Sequence, residues 1–128
     1  MTNKSKEENE VELEEITSVE ELKKAEMNGL ALVDFGAPWC APCRLQRPIL
    51  RQLADQFEGR VLVAAVNVDD FGEASSILGI QSIPTLVFFR YGKEIQRFVG
   101  LQSELTLSDA LIHLIDSGGS FLEVNDWR

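Results

Sequence analysis

The run Leu30-Ala31-Leu32-Val33-Asp34-Phe35 is apolar at every position but one. A strand that covers only one face of a sheet alternates apolar with polar residues, whereas a strand buried on both faces reads as a nearly continuous hydrophobic run. This segment therefore asks for a sheet with helices on both sides. It hands the chain to Trp39-Cys40-Ala41-Pro42-Cys43, and apolar residues then recur at helical spacing at Leu45, Ile49, Leu50, Leu53, Ala54 and Phe57. Two residues between cysteines at a helix start put both sulfurs on the first turn, within bridging reach. Cys40 falls near the capping position, where unpaired backbone N–H groups and the helix dipole favour a thiolate over a thiol of ordinary pKa, about 8.5. Pro42 suits the first turn, since its missing N–H costs nothing there and its fixed φ stiffens the loop.

The rest of the chain supplies the partners of that strand. Val11 to Ile16 is compatible with a short edge strand, and Ser18 with Glu21 makes a capping box for a helix through Met27, ended by Asn28-Gly29. Arg60 to Asp69 reads as a second buried strand, and Glu73 to Leu78 as a short helix closed by Gly79. Strands Thr85–Arg90 and Glu94–Val99 flank Tyr91-Gly92-Lys93, a hairpin signal. Ser103 can cap a last helix with a buried stripe of Leu107, Ala110, Leu111, Leu114 and Ile115, stopped by Ser117-Gly118-Gly119. Pro48 is expected to kink the long helix, and Arg44, Arg47 and Arg51 to lie on or near its polar side. The order βαβαβαββα predicts an α/β protein with a central mixed sheet and helices on both faces. The cysteine pair then falls at the carboxyl end of a strand, where such folds place their sites.

Composition bounds the partners. The chain has 128 residues, 45% hydrophobic, enough for one domain with a sizeable core, and a formal charge of −9. That charge disfavours nucleic acid and anionic membranes as partners. Residues 1–15 concentrate six glutamates against two lysines, so residues 1–10 are expected to form a disordered acidic tail, residues 11–116 the domain and residues 117–128 a C-terminal extension. No apolar stretch at the start reads as a secretory signal or anchor, which places the protein in the cytoplasm, and a small acidic domain with dispersed charge favours a monomer. There, two cysteines point to metal or redox chemistry rather than to a structural staple. A closed zinc site needs more donors than the pair and the single His113, so no metal is expected.

Three separated segments, Asp34-Phe35 through Cys43, Ile83-Pro84-Thr85 and Val99-Gly100, together resemble the thioredoxin family over about Leu13 to Asp116. The resemblance implies a thioredoxin fold, a five-stranded mixed sheet flanked by four helices, and a protein-disulfide reductase. It implies that Cys40 is the attacking thiolate, Cys43 the resolving thiol, and Pro84 a cis-proline facing the sulfurs. Asp34 is similar to the family's buried acid, and a carboxylate whose pKa is raised by burial can take the proton of Cys43. Trp39, Ile83, Pro84, Val68, Val99 and Gly100 are the implied client-binding surface. The implied partners are proteins with exposed disulfides and a flavin reductase drawing on NADPH. The chain shows no phosphate-binding glycine motif, so it is expected to bind no cofactor beyond its own redox-active Cys40–Cys43 disulfide.

The chain departs from the family pattern at four places. Ala41 replaces a glycine, and the Ala41-Pro42 dipeptide is expected to tune redox poise. Gly36 stands where a second tryptophan is common, removing bulk beside the site. Ala65 stands where a lysine is common, which predicts a higher pKa for Asp34 than with lysine there. The extension carries Phe121, Leu122, Val124 and Trp127, able to dock on the domain or on a partner. His113, on the last helix, is expected to lie away from the cysteines. Two other functions stay open on the sequence: a disulfide oxidant or isomerase, and a binding or chaperone module without redox turnover.

Overall fold

The computed structural model describes residues 13–117. The acidic tail and nearly all of the C-terminal extension, with Phe121, Leu122, Val124 and Trp127, lie outside the described residues.

Five strands, β1 (Glu14–Glu15), β2 (Leu30–Gly36), β3 (Leu62–Asn67), β4 (Thr85–Arg90) and β5 (Lys93–Val99), form one sheet in the order β1-β3-β2-β4-β5. Four helices accompany them: α1 (Val19–Glu26), α2 (Ala41–Gln56), α3 (Gly72–Leu78) and α4 (Glu104–Ser117). β1, β3 and β2 run parallel, while β4 pairs antiparallel with both β2 and β5. The expected α/β order is thus present, with β3 shorter at both ends than its apolar pattern suggested. β1 is reduced to two residues among those described.

The central position of β2 follows from its sequence. All seven of its residues are buried, because side chains on alternate positions enter different cores. Leu30 and Leu32 join Leu50, Leu53 and Phe57 of the α2 segment and Leu107, Leu111 and Leu114 of α4. Ala31, Val33 and Phe35 join Leu22 and Ala25 of α1 and Phe71 and Ala74 of the α3 region. By this alternation Asp34 shares the face of Leu30 and Leu32 and is carried under α2.

Local signals hold the element ends. Ser18 Oγ accepts the Glu21 N–H at 3.1 Å, and Glu21 Oε1 accepts the Thr17 N–H at 2.7 Å, one residue before the capping box would place that second bond. Ser103 Oγ accepts the Thr106 N–H at 3.1 Å ahead of α4. The β4–β5 turn is tighter than expected: Arg90 pairs with Lys93, and Tyr91 (φ 48°) and Gly92 (φ 86°) make the two-residue loop, the left-handed pair that a primed hairpin turn needs. The tip is pinned to the end of α1, with the Gly92 N–H donating to the Glu26 carbonyl at 2.6 Å. A β-carbon on Gly92 would stand 2.5 Å from Met27 Sδ. Helix α2 runs on through Pro48, which cannot donate to the Arg44 carbonyl.

Candidate active site

The topology brings the three sequence segments to one edge. Cys40 and Cys43 follow the carboxyl end of β2. Because β4 is antiparallel to β2, Thr85 lies opposite Phe35, so Pro84 arrives at the same end. Val99 in turn lies opposite Thr85, and the Gly100 N–H donates to the Pro84 carbonyl at 2.7 Å. A parallel β4 would have sent Pro84 to the far end of the sheet.

Cys40 and Cys43 are joined in a disulfide with a Cα–Cα separation of 5.2 Å. Cys40 is the N-cap of α2: its Sγ accepts the Cys43 N–H at 3.3 Å and its carbonyl accepts the Arg44 N–H at 3.1 Å. Ala41 and Pro42 occupy the exposed first turn. Both cysteines are buried, packed with Ala37, Val68 and Ile83. The Ile83–Pro84 peptide bond is cis, and the Ile83 carbonyl oxygen stands 4.0 Å from Cys40 Sγ. The Thr85 hydroxyl donates to the Ser82 carbonyl at 2.7 Å, fixing the turn ahead of the proline.

Trp39 forms the outer rim. It is 66% exposed, and its indole Nε1 donates to Asp69 Oδ2 at 2.7 Å. Val99 is exposed as well, Val68 is half-buried, and the Val68 N–H donates to the Gly36 carbonyl at 2.9 Å. All six residues expected to contact clients therefore border the disulfide or its proline. His113 is an exposed residue of α4.

The side of the disulfide facing the sheet has a different chemistry. Asp34 is 2% exposed, and its Oδ1 has no hydrogen-bond partner. Burial pushes its carboxyl up to about 7 against a smaller downward pull from Arg47, and Glu15 adds a further upward push. Ala65 and Leu86 flank it on β3 and β4, so its neighbours on the two adjacent strands offer it no charge. Arg47, expected only near a polar helix face, brings its Nε to 4.0 Å from Asp34 Oδ2 and donates from Nη1 to Glu15 Oε2 at 3.1 Å. The absence of a lysine at position 65 thus does not leave Asp34 without a cation. A cavity of about 580 Å³ opens beside these groups, lined by Asp34, Gly36, Cys43 and Arg47 among others. Gly36 is tightly placed: a β-carbon there would stand 3.1 Å from Cys43 Sγ.

Sequence reading also passed over Gln46, which is fully buried. Its Nε2 donates to the Gln102 carbonyl at 2.9 Å and its Oε1 accepts the Gln102 N–H at 2.8 Å. This clamp ties α2 to the segment after β5, two residues beyond Gly100.

A cysteine pair closed into a disulfide at a helix N-terminus, with a cis-proline against it, defines a thiol–disulfide oxidoreductase of the α/β class. Comparison with known proteins gives the family. The thioredoxin family model matches residues 11–113. Thioredoxin of Chlamydia caviae is 40% identical over 101 residues, 79% of this chain and 94% of that protein. Thioredoxin 1 of a Nostoc species is 45% identical over 80 residues, 62% of this chain and 75% of that one. Among solved structures, a mutant thioredoxin from Halobacterium salinarum superposes with a TM-score of 0.71 at 33% identity, covering 86% of this chain and 93% of its own. The chain belongs to the thioredoxin family: it is a protein-disulfide reductase whose redox group is the Cys40–Cys43 disulfide.

Proposed function

We propose that Cys40 is the attacking and Cys43 the resolving sulfur, with Asp34 as the acid–base group of the second step. In the reduced protein the Cys40 thiolate, stabilised by the first-turn N–H groups, attacks one sulfur of a client disulfide. A Cys40–client bond forms, the client S–S bond breaks, and one client thiolate leaves. Cys43 then gives its proton to the Asp34 carboxylate and attacks Cys40 Sγ. The mixed disulfide breaks, the second client thiolate leaves, and the Cys40–Cys43 bond forms. Two electrons pass from the dithiol to the client. The observation that carries this assignment is the placement of the buried Asp34 and Cys43 on one cavity, with Cys40 turned to Ile83.

Clients are proteins with exposed disulfides, received by Trp39, Val68, Ile83, Pro84, Val99 and Gly100, and Ala41 with Pro42 sets the redox poise. An NADPH-dependent flavin reductase restores the dithiol, and the protein works in the cytoplasm as a monomer. Among the described residues no helix is long and apolar enough to cross a membrane.

The test is trapping. Cys43→Ser should accumulate a covalent Cys40–client adduct, seen by mass spectrometry, and Cys40→Ser should form none. Adducts through Cys43 in the Cys40→Ser variant would reverse the assignment. A redox titration, read by alkylation, should give a potential near or below about −230 mV, and a value of about −120 to −180 mV would make the protein an oxidant or isomerase.

A further inference from the structure

We propose that Arg47 and Glu15 are positioning residues for Asp34: a guanidinium delivered by helix α2 and tethered by a carboxylate of strand β1 sets how readily Asp34 takes the proton of Cys43. The proposal rests on the reading of Asp34 as the acid–base group of the resolving step.

The geometry follows from helical spacing. Cys43 and Arg47 are four residues apart on α2, so they lie on the same helix face one turn apart. Both therefore face the edge under which Asp34 is buried. Arg47 Nε stands 4.0 Å from Asp34 Oδ2, too far for a direct hydrogen bond but well within Coulomb range. Its Nη1 is held by Glu15 Oε2 at 3.1 Å. The guanidinium thus faces two carboxylates, one buried and one half in water.

The other charged groups around Asp34 are accounted for. Arg44, also on α2, turns its Nη1 to the Pro38 carbonyl at 2.8 Å. Asp70, after β3, accepts from Asn67 Nδ2 at 3.3 Å on the cavity's rim. Cys43, once reduced, is the remaining titratable group on the cavity, and the register partners of Asp34 on β3 and β4 are the uncharged Ala65 and Leu86. Arg47 is therefore the cation in ion-pair range of Asp34 among the described residues, and Glu15 decides how much of its charge Asp34 receives. Arg47 and Glu15 are 31% and 50% exposed, so salt screens the pair and either side chain can be replaced without opening the core.

The two residues act in opposite directions. Without Arg47 the ionised Asp34 loses its cation, and the pH midpoint of resolution moves up. Without Glu15 a repelling carboxylate is gone and Arg47 is released toward Asp34, so the midpoint moves down.

The test mixes the reduced protein with excess 5,5′-dithiobis(2-nitrobenzoate), which leaves a Cys40–thionitrobenzoate mixed disulfide. Attack of Cys43 on Cys40 Sγ then releases the second coloured thiolate, and stopped-flow absorbance follows that rate against pH. Arg47→Gln should raise the midpoint by up to about one unit, Glu15→Gln should lower it, and Arg47→Lys should return it toward the wild-type value. In an Asp34→Asn background neither change should move the profile. Shifts of the same sign, or no shift where Asp34→Asn itself slows release, would overturn the role of Arg47 and Glu15 while leaving Asp34 in place. An Asp34→Asn profile identical to wild type would remove the acid–base reading of Asp34 and the proposal with it.

Discussion

The two cysteines sit three residues apart, both buried, yet they face different surroundings. On the Cys40 side lie an exposed indole, a cis-proline and an exposed valine, with the Ile83 carbonyl oxygen 4.0 Å from the sulfur. On the Cys43 side lie a buried carboxyl, a glycine with almost no clearance, and a guanidinium held by a second carboxylate. In the proposed mechanism the first edge receives the client chain and the second moves the proton. The difference arises in the sheet, because alternation along β2 sends Asp34 to the α2 face and antiparallel pairing of β4 sends Pro84 to the rim.

The comparison breaks most completely if one sulfur is removed. Cys40→Ser should abolish turnover and adduct formation together, whereas Cys43→Ser should abolish turnover only; equal adduct yields from both variants would erase the distinction between the two sides.

Next in size is Asp34. Its folded pKa, about 7, lies above the ordinary 3.8, so the folded state holds the extra proton between those values. The contribution of Asp34 to stability is therefore fully present below the ordinary value and is lost as pH rises through 7. Asp34→Asn should remove that slope and raise stability at pH 8 by up to about 4 kcal/mol, while slowing the resolving step. Denaturant melts at pH 5 and pH 8 check this, and a pH-independent gain would contradict it.

Gln46→Ala comes third. It breaks both bonds to Gln102 and opens the core, at a cost of about 2–3 kcal/mol. It should also loosen the segment carrying Gly100 and raise KM for protein clients more than for small disulfides. A purely global loss, with no such split, would make Gln46 a core residue only.

The smallest effect belongs to the rim. Trp39→Phe loses one exposed hydrogen bond to Asp69, about 0.5 kcal/mol of stability, and on the proposed docking role should raise KM for protein clients. A stability loss of several kcal/mol would mean that the indole is part of the core rather than of a docking edge.

The sheet was legible because burial on two faces writes an unambiguous pattern into Leu30–Phe35, and the helix caps and the Tyr91-Gly92 turn carry local signatures. The cysteine pair and the proline were legible as motifs. What was missed depends on where long polar side chains go after the elements pack. Arg47 reads as one of three arginines near a polar helix face, and only the approach of β1 and β2 turns it toward Glu15 and Asp34. Gln46 lies beside it in sequence and points into the core, where the backbone of Gln102 satisfies it; polarity alone argued for the surface. Ala65 suggested an acid without a cation, yet the cation comes from another element. Among the described residues β1 pairs through Glu14 and Glu15 with Ala64 and Ala65, and the Ile16 N–H donates to the Ala65 carbonyl at 2.8 Å.

The most direct test of the two-sided site is the titration of Asp34 itself in the oxidised protein, followed by the carbon-13 shift of its carboxyl group. The structure predicts a midpoint near 7, well separated from the exposed carboxylates. A midpoint within the ordinary carboxylate range, near 4, would mean that the side of Cys43 is as wet as any surface and that proton handling is not what distinguishes it.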